Sequence, residues 1–157
     1  MIVKEQYDYQ IGTDTFQGFI CYDNEIKEPL SGVLVSHQYS GCSKLEERKC
    51  EFLAKAGYFA FAVDLYGKGI RGKTPEESLD LMNELSKDRT VISKRLNHCL
   101  TLLKDQKLVD SNKVAAIGYC FGGRCVLDLA RSGAELNLVV SFQGIYDRPN
   151  IGNPKNI

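Results

Sequence analysis

Residues 113–130 read KVAAIGYCFGGRCVLDLA. Lys113 to Tyr119 is a short apolar run of the kind a strand buried on both faces carries, and Gly122 to Ala130 reads as a helix directly after it. Between them Gly118, Cys120, Gly122 and Gly123 spell G-x-Cys-x-G-G. A nucleophile held on a sharp strand-to-helix turn needs nearly side-chain-free residues two before and two after it, or the turn collides with itself. Such a turn lifts the sulfur clear of the sheet and sets it at the helix N-terminus, where the helix dipole favours a thiolate. It also aims the backbone N–H of Phe121 at a developing oxyanion. The bland alternative is a buried structural cysteine beside a glycine-rich turn, and Cys125, one helical turn on, fits that role better.

Working outward, the same grammar recurs. Gly32 to Ser36 (GVLVS), Tyr58 to Val63 (YFAFAV) and Leu138 to Phe142 (LVVSF) are further buried-strand runs. The spacing predicts a helix over Leu45 to Ala56, its face drawn by Leu45, Arg48, Lys49, Phe52, Leu53 and Ala56 and its end set by Gly57. Thr74 is placed to cap a helix opened by Pro75, and a further helix over Arg89 to Lys104 carries apolar residues at 92, 96, 99, 100 and 103. Upstream, Val3 to Gln10 and Thr15 to Tyr22 alternate around Gly12-Thr13-Asp14, as an antiparallel hairpin does. The tail, DRPNIGNPKNI, reads as loop. A hairpin followed by β-α-β-α repetition means a doubly wound, mostly parallel α/β sheet with helices on both faces. Ligands in such sheets bind at the carboxyl ends of the strands, which directs attention to 37–42, 64–74, 119–123 and 143–149.

The totals narrow the partners. Twenty basic residues meet twenty acidic ones among 157, with 43% hydrophobic and 25% charged. That balance leaves no basic face for nucleic acid, and no apolar run is long enough for a membrane span. MIVKEQYDYQ turns charged at once and has no secretory h-region, so the expected location is cytoplasmic. Of six cysteines none forms a CxxC pair, and with two histidines there is no clustered metal pattern. Most of the thiols are expected to be small core residues. No metal and no cofactor are expected.

One competing motif stands out. Gly67 to Thr74, GKGIRGKT, satisfies G-x-x-x-x-G-K-[ST], the phosphate-binding P-loop. Pro75 removes a donor that a P-loop helix needs, the preceding strand ends too early, and no strand ends in a Walker-B aspartate. The preferred reading is a mobile basic loop bordering the cleft, in which Lys68, Arg71 and Lys73 could attract an anion.

These motifs together resemble the dienelactone hydrolase family of α/β-hydrolases over nearly the whole chain. The elbow appears as GYCFGG, the family's Asp-Leu-Tyr-Gly loop within FAFAVDLYGKG (59–69), its His-Glu loop as His37-Gln38-Tyr39-Ser40-Gly41, and its Ser-Phe-His-Gly as SFQG (141–144). The resemblance implies a single α/β-hydrolase domain over 1–157 whose C-terminal strands are missing. It implies a carboxylic ester hydrolase acting on a small-molecule ester or lactone substrate. Cys120 would accept the acyl group, the N–H groups of Tyr39 and Phe121 would form the oxyanion hole, and His37 and Gln38 would line the cleft. Gln38 stands where several family members carry a glutamate that helps activate the cysteine, and an amide cannot accept a thiol's proton. The family's acid and histidine follow two later strands, so an external histidine and carboxylate would complete the relay, and this polypeptide alone is expected to be weak or inactive. His37 belongs to the oxyanion loop and His98 to a helix, so neither substitutes. A non-catalytic binding protein of the same fold, a nucleotide-binding protein and a redox-active thiol protein are the alternatives.

Overall fold

In the computed structural model, residues 1–147 are described. The chain runs β1 (Ile2–Ile11), β2 (Asp14–Asp23), β3 (Leu30–Ser36), α1 (Lys44–Lys55), β4 (Tyr58–Val63), α2 (Pro75–Ser86), α3 (Arg89–Lys104), β5 (Val109–Tyr119), α4 (Phe121–Arg131) and β6 (Leu138–Phe142). The six strands form one sheet in the order β1-β2-β4-β3-β5-β6. The hairpin β1–β2 is antiparallel and joins β4 antiparallel, whereas β4, β3, β5 and β6 run parallel to one another. This is the doubly wound α/β-hydrolase arrangement, with α1 on one face and α3 and α4 on the other. The C-terminal loop expected from the sequence lies, from residue 148 on, outside the described residues.

The helices form for local reasons that the sequence carries. Thr74 Oγ1 accepts from the Glu77 N–H at 3.2 Å and Pro75 fills the first helical position of α2. Ser43 and Glu46 make a reciprocal capping box at the start of α1, and Gly57, at φ +90°, follows its end in a conformation that a side chain would strain. All five apolar positions expected of α3 are buried. The face of α1 departs from expectation. Cys50, Ala54 and Glu46 point into the sheet, while Phe52 is 74% and Leu45 40% exposed.

β5 starts earlier than its apolar run suggests. It opens at Val109, and between Asp110 and Val114 the register against β3 shifts, since Ser31 pairs with Asp110 and the next residue, Gly32, with Val114. The polar Ser111-Asn112 step is a bulge inside the strand, held by the Asn112 N–H donating to Asp110 at 3.0 Å.

Candidate active site

The carboxyl ends of β3, β4, β5 and β6 bring four loops together, and Cys120 sits among them. Its backbone is at φ 52°, ψ −115°, one of two non-glycine residues with positive φ among those described. A conformation of that kind costs on the order of 1–3 kcal/mol and persists only where its surroundings hold it. Here the Cys120 N–H donates to Phe142 O on β6 at 2.9 Å, and Cys120 O accepts from the Gly123 N–H at 3.0 Å.

The glycines of the turn have no room to be anything else. A Cβ on Gly118 would strike Gly122 O and lie 2.7 Å from Gly123 N. One on Gly122 would strike Ser36 O and lie 2.6 Å from His37 O, so α4 rests directly on the end of β3. One on Gly123 would meet the Ser141 side chain and lie 3.0 Å from Gly144 Cα. The third glycine therefore seats α4 against β6, as the first two seat it against β5 and β3.

Five of the six cysteines, at 21, 42, 50, 99 and 125, are buried, and Cys120 alone is partly exposed. Burial pushes the Cys21 thiol up to about 11 and Cys99 to about 12, and raises Cys42, Cys50 and Cys125 further still. These five are inert core residues. Cys120 instead lies at the N-terminus of an 11-residue helix, whose dipole favours negative charge there.

His37 was expected to line the cleft, and the structure places it elsewhere: the imidazole is fully buried. Its Nε2 accepts from the Leu65 N–H at 3.1 Å, which leaves the proton on Nδ1, and Nδ1 donates to Gln38 O at 2.5 Å. Gln38 O also accepts from the Gly41 N–H at 3.2 Å. Because a peptide unit is planar, fixing the Gln38 carbonyl fixes the direction of the Tyr39 N–H in the same plane. Desolvation lowers the His37 pKa from its ordinary value, with the bond to Gln38 opposing. A neutral ring with both nitrogens engaged has no capacity to act as a base. His98 is half-buried on α3 against the Tyr9 ring, 6.4 Å between centroids.

Gln38 and Tyr39 are both partly exposed. Among the described residues neither the Tyr39 nor the Phe121 N–H donates to a backbone acceptor in a turn, loop or cap. For Phe121 this follows from its place as the first residue of α4, where helical N–H groups have no partner within the helix.

In the loop after β4, two of the three basic side chains, Lys68 and Arg71, are paired within the protein. The buried Asp64 carboxylate accepts from the N–H groups of Tyr66 (3.0 Å), Gly67 (3.2 Å) and Gln17 (3.2 Å) and pairs with Arg71 at 3.4 Å. Arg71 also donates to Cys42 O, and Lys68 pairs with Asp8. Four further amides of the P-loop spelling are used within the protein: Lys68 N–H on Thr15 O, Ile70 on Gly67 O, Gly72 on Ser40 O and Lys73 on Glu77. A phosphate cradle needs those N–H groups free and turned outward. Here a carboxylate occupies the place an anion would take.

Two features that sequence reading passed over complete the site. Tyr66 joins the β3 and β4 loops, its hydroxyl donating to Tyr39 O at 2.8 Å. Arg124 is buried on α4, stacked 5.2 Å from the Phe121 ring centre and donating to Ser86 of α2. An arginine in the first turn after an elbow is legible as a candidate, but its burial is not.

Comparison with known proteins places this geometry. The model of the dienelactone hydrolase family matches residues 16–157. The solved structure of m3DLH superposes with a TM-score of 0.87 at 33% identity, covering 91% of this chain and 60% of that one. The dienelactone hydrolase-like promiscuous phosphotriesterase P91 from metagenomic libraries gives 0.86 at 31% identity, covering 91% and 59%. A "Putative carboxymethylenebutenolidase" of Aquifex aeolicus is 30% identical over 130 residues, 80% of this chain and 55% of that protein. The chain spans about half the length of the curated relatives it matches. A match that runs from β2 through the elbow to residue 157 leaves one assignment: the chain belongs to the dienelactone hydrolase family.

Proposed function

We propose that the protein is a hydrolase of small ester or lactone substrates in which Cys120 is the nucleophile. The observation that carries the reading is the conformation of Cys120, positive in φ, partly exposed, and set at a helix N-terminus between glycines that tolerate no Cβ. The Sγ thiolate adds to the substrate carbonyl carbon, and the carbonyl π pair moves onto oxygen. That oxyanion takes hydrogen bonds from the Tyr39 and Phe121 N–H groups. Collapse restores the C=O and breaks the bond to the alkoxide, which takes up a proton and leaves; in a lactone it stays tethered. Water then attacks the thioester, its proton is removed, and the thiolate departs.

The second half of this cycle needs a base. The chain holds two histidines, of which His37 is buried with both nitrogens engaged and His98 packs against Tyr9 on α3. The Gln38 amide has no basic lone pair. Acylation is therefore expected to outrun release, giving a stoichiometric burst with p-nitrophenyl acetate followed by slow turnover. Mass spectrometry of the quenched protein should place one acetyl group on Cys120, and Cys120→Ala should abolish both burst and adduct. An adduct elsewhere, or none, would sink the assignment. Since the relative P91 is described as a promiscuous phosphotriesterase, a phosphotriester belongs beside esters and lactones in the substrate panel.

A further inference from the structure

We infer that Tyr66 is a positioning residue that clamps the two backbone oxyanion donors, one on the β3 loop and one at the start of α4, into a single preset site. The inference rests on the acyl-transfer reading of Cys120 above.

Tyr66 touches both halves of the proposed oxyanion hole by different means. Its hydroxyl donates to Tyr39 O at 2.8 Å. Its ring stacks on that of Phe121, with centroids 6.2 Å apart and planes 21° apart, and it packs on His37 at 4.8 Å. The two peptide planes that flank the Tyr39 Cα are thereby both held. His37 Nδ1–H and the Gly41 N–H fix the Gln38 carbonyl, in the plane of the Tyr39 N–H, and Tyr66 fixes the Tyr39 carbonyl, in the next plane. With both planes pinned, the Tyr39 N–H cannot swing about its Cα.

The strut itself is rigid. The Tyr66 N–H donates to the buried Asp64 carboxylate at 3.0 Å, and the same carboxylate holds Gly67, Gln17 and Arg71. Burial raises the Tyr66 phenol above its ordinary pKa, so it remains a donor throughout the pH range in which the thiol could act. At the other end Phe121 is fully buried and also meets the Arg124 guanidinium, 5.2 Å from the ring centre. Donors aimed at the oxyanion are effective to the extent that they need no reorganisation as charge develops. A side chain that ties one donor to the other supplies that stiffness without touching substrate.

The test separates a reaction that forms an oxyanion from one that does not. Tyr66→Phe deletes one oxygen and keeps the ring packing. Its maximal rate of Cys120 acylation by p-nitrophenyl acetate should fall about tenfold, less than the hundredfold or more that follows loss of an oxyanion donor itself. The half-saturating ester concentration and the rate of Cys120 alkylation by iodoacetamide, a displacement at saturated carbon with no oxyanion, should stay within about twofold. Unchanged acylation would overturn the clamp and leave the hydrolase reading standing. Parallel loss of acylation and alkylation would assign Tyr66 a general structural role and overturn it too. Failure of the unsubstituted protein to acylate Cys120 at all would remove the hydrolase reading and the clamp with it.

Discussion

A fully buried imidazole must adopt one tautomer, and at His37 two backbone neighbours choose it. Leu65 N–H needs an acceptor and Gln38 O a donor, so the ring is neutral with its proton on Nδ1. Protonation would turn Nε2 into a second donor facing an N–H, in a fully buried site. The folded-state pKa is accordingly below the ordinary 6.5, desolvation being the largest cause. For a group shifted in that direction, the stability it contributes is complete above about pH 6.5 and is lost as pH falls through the folded-state value. The urea midpoint should therefore drop between about pH 7 and about pH 5, with the His37 ring of the folded protein still mainly neutral by NMR at about pH 6.5, where a free imidazole is half protonated. A midpoint flat across the range, or a His37 that titrates like a free imidazole, would refute this account.

At the scale of elements, α1 shows how a correct helix can be read with the wrong face. Its large apolar residues Leu45 and Phe52 draw the eye, yet the buried stripe is Glu46, Cys50 and Ala54. That stripe packs with Cys21, Ala60 and Ala62 of the sheet in one cluster, with Phe19, Val33 and Val35 beside them and Leu53 of α1 against its margin, and Cys50 is fully buried with no room to spare. Glu46 is tolerated inside because its carboxylate accepts from both Ser43 N (2.8 Å) and Ser43 Oγ (2.7 Å), so the buried charge is hydrogen-bonded. Two substitutions separate the faces. Phe52→Lys should change stability by no more than about 0.5 kcal/mol, whereas Cys50→Leu should cost about 2 kcal/mol by overpacking. Urea denaturation of the two variants measures both, and a costly Phe52→Lys would mean that α1 is rotated from the orientation described.

Over the whole molecule, the two faces of the sheet are covered unequally. α3 and α4 bury one face of β5 and β6, whereas α1 packs against β2 and β4 and stops short of the edge. On the α1 side the register pairs Ala115 with Leu138, Ile117 with Val140 and Tyr119 with Phe142, an apolar strip of which Leu138 is 56% and Phe142 43% exposed. Lys49 lies over Tyr119, 4.7 Å from its ring centre. β6 is also the last strand of the sheet among the described residues, tied to the elbow where Phe142 O accepts from the Cys120 N–H.

The sequence by itself determined what depends on near neighbours. The hairpin, the alternation of strands and helices, the Thr74 cap, the stop at Gly57 and the glycine spacing around Cys120 are all set within a few residues, and all are present in the structure. The same is true of the α/β-hydrolase fold and its family, because a strand–elbow–helix unit is a local signature. Only the tertiary structure decided which face of α1 is inward, that His37 is a buried strut and not a cleft residue, and that the P-loop spelling closes around Asp64. Those outcomes turn on partners 28 residues apart for His37 and Leu65 and 27 for Tyr66 and Tyr39, which meet only because parallel strands deliver their loops to one end of the sheet. Spacing along the chain records which residues are available. Which donor finds which acceptor is settled when the strands align.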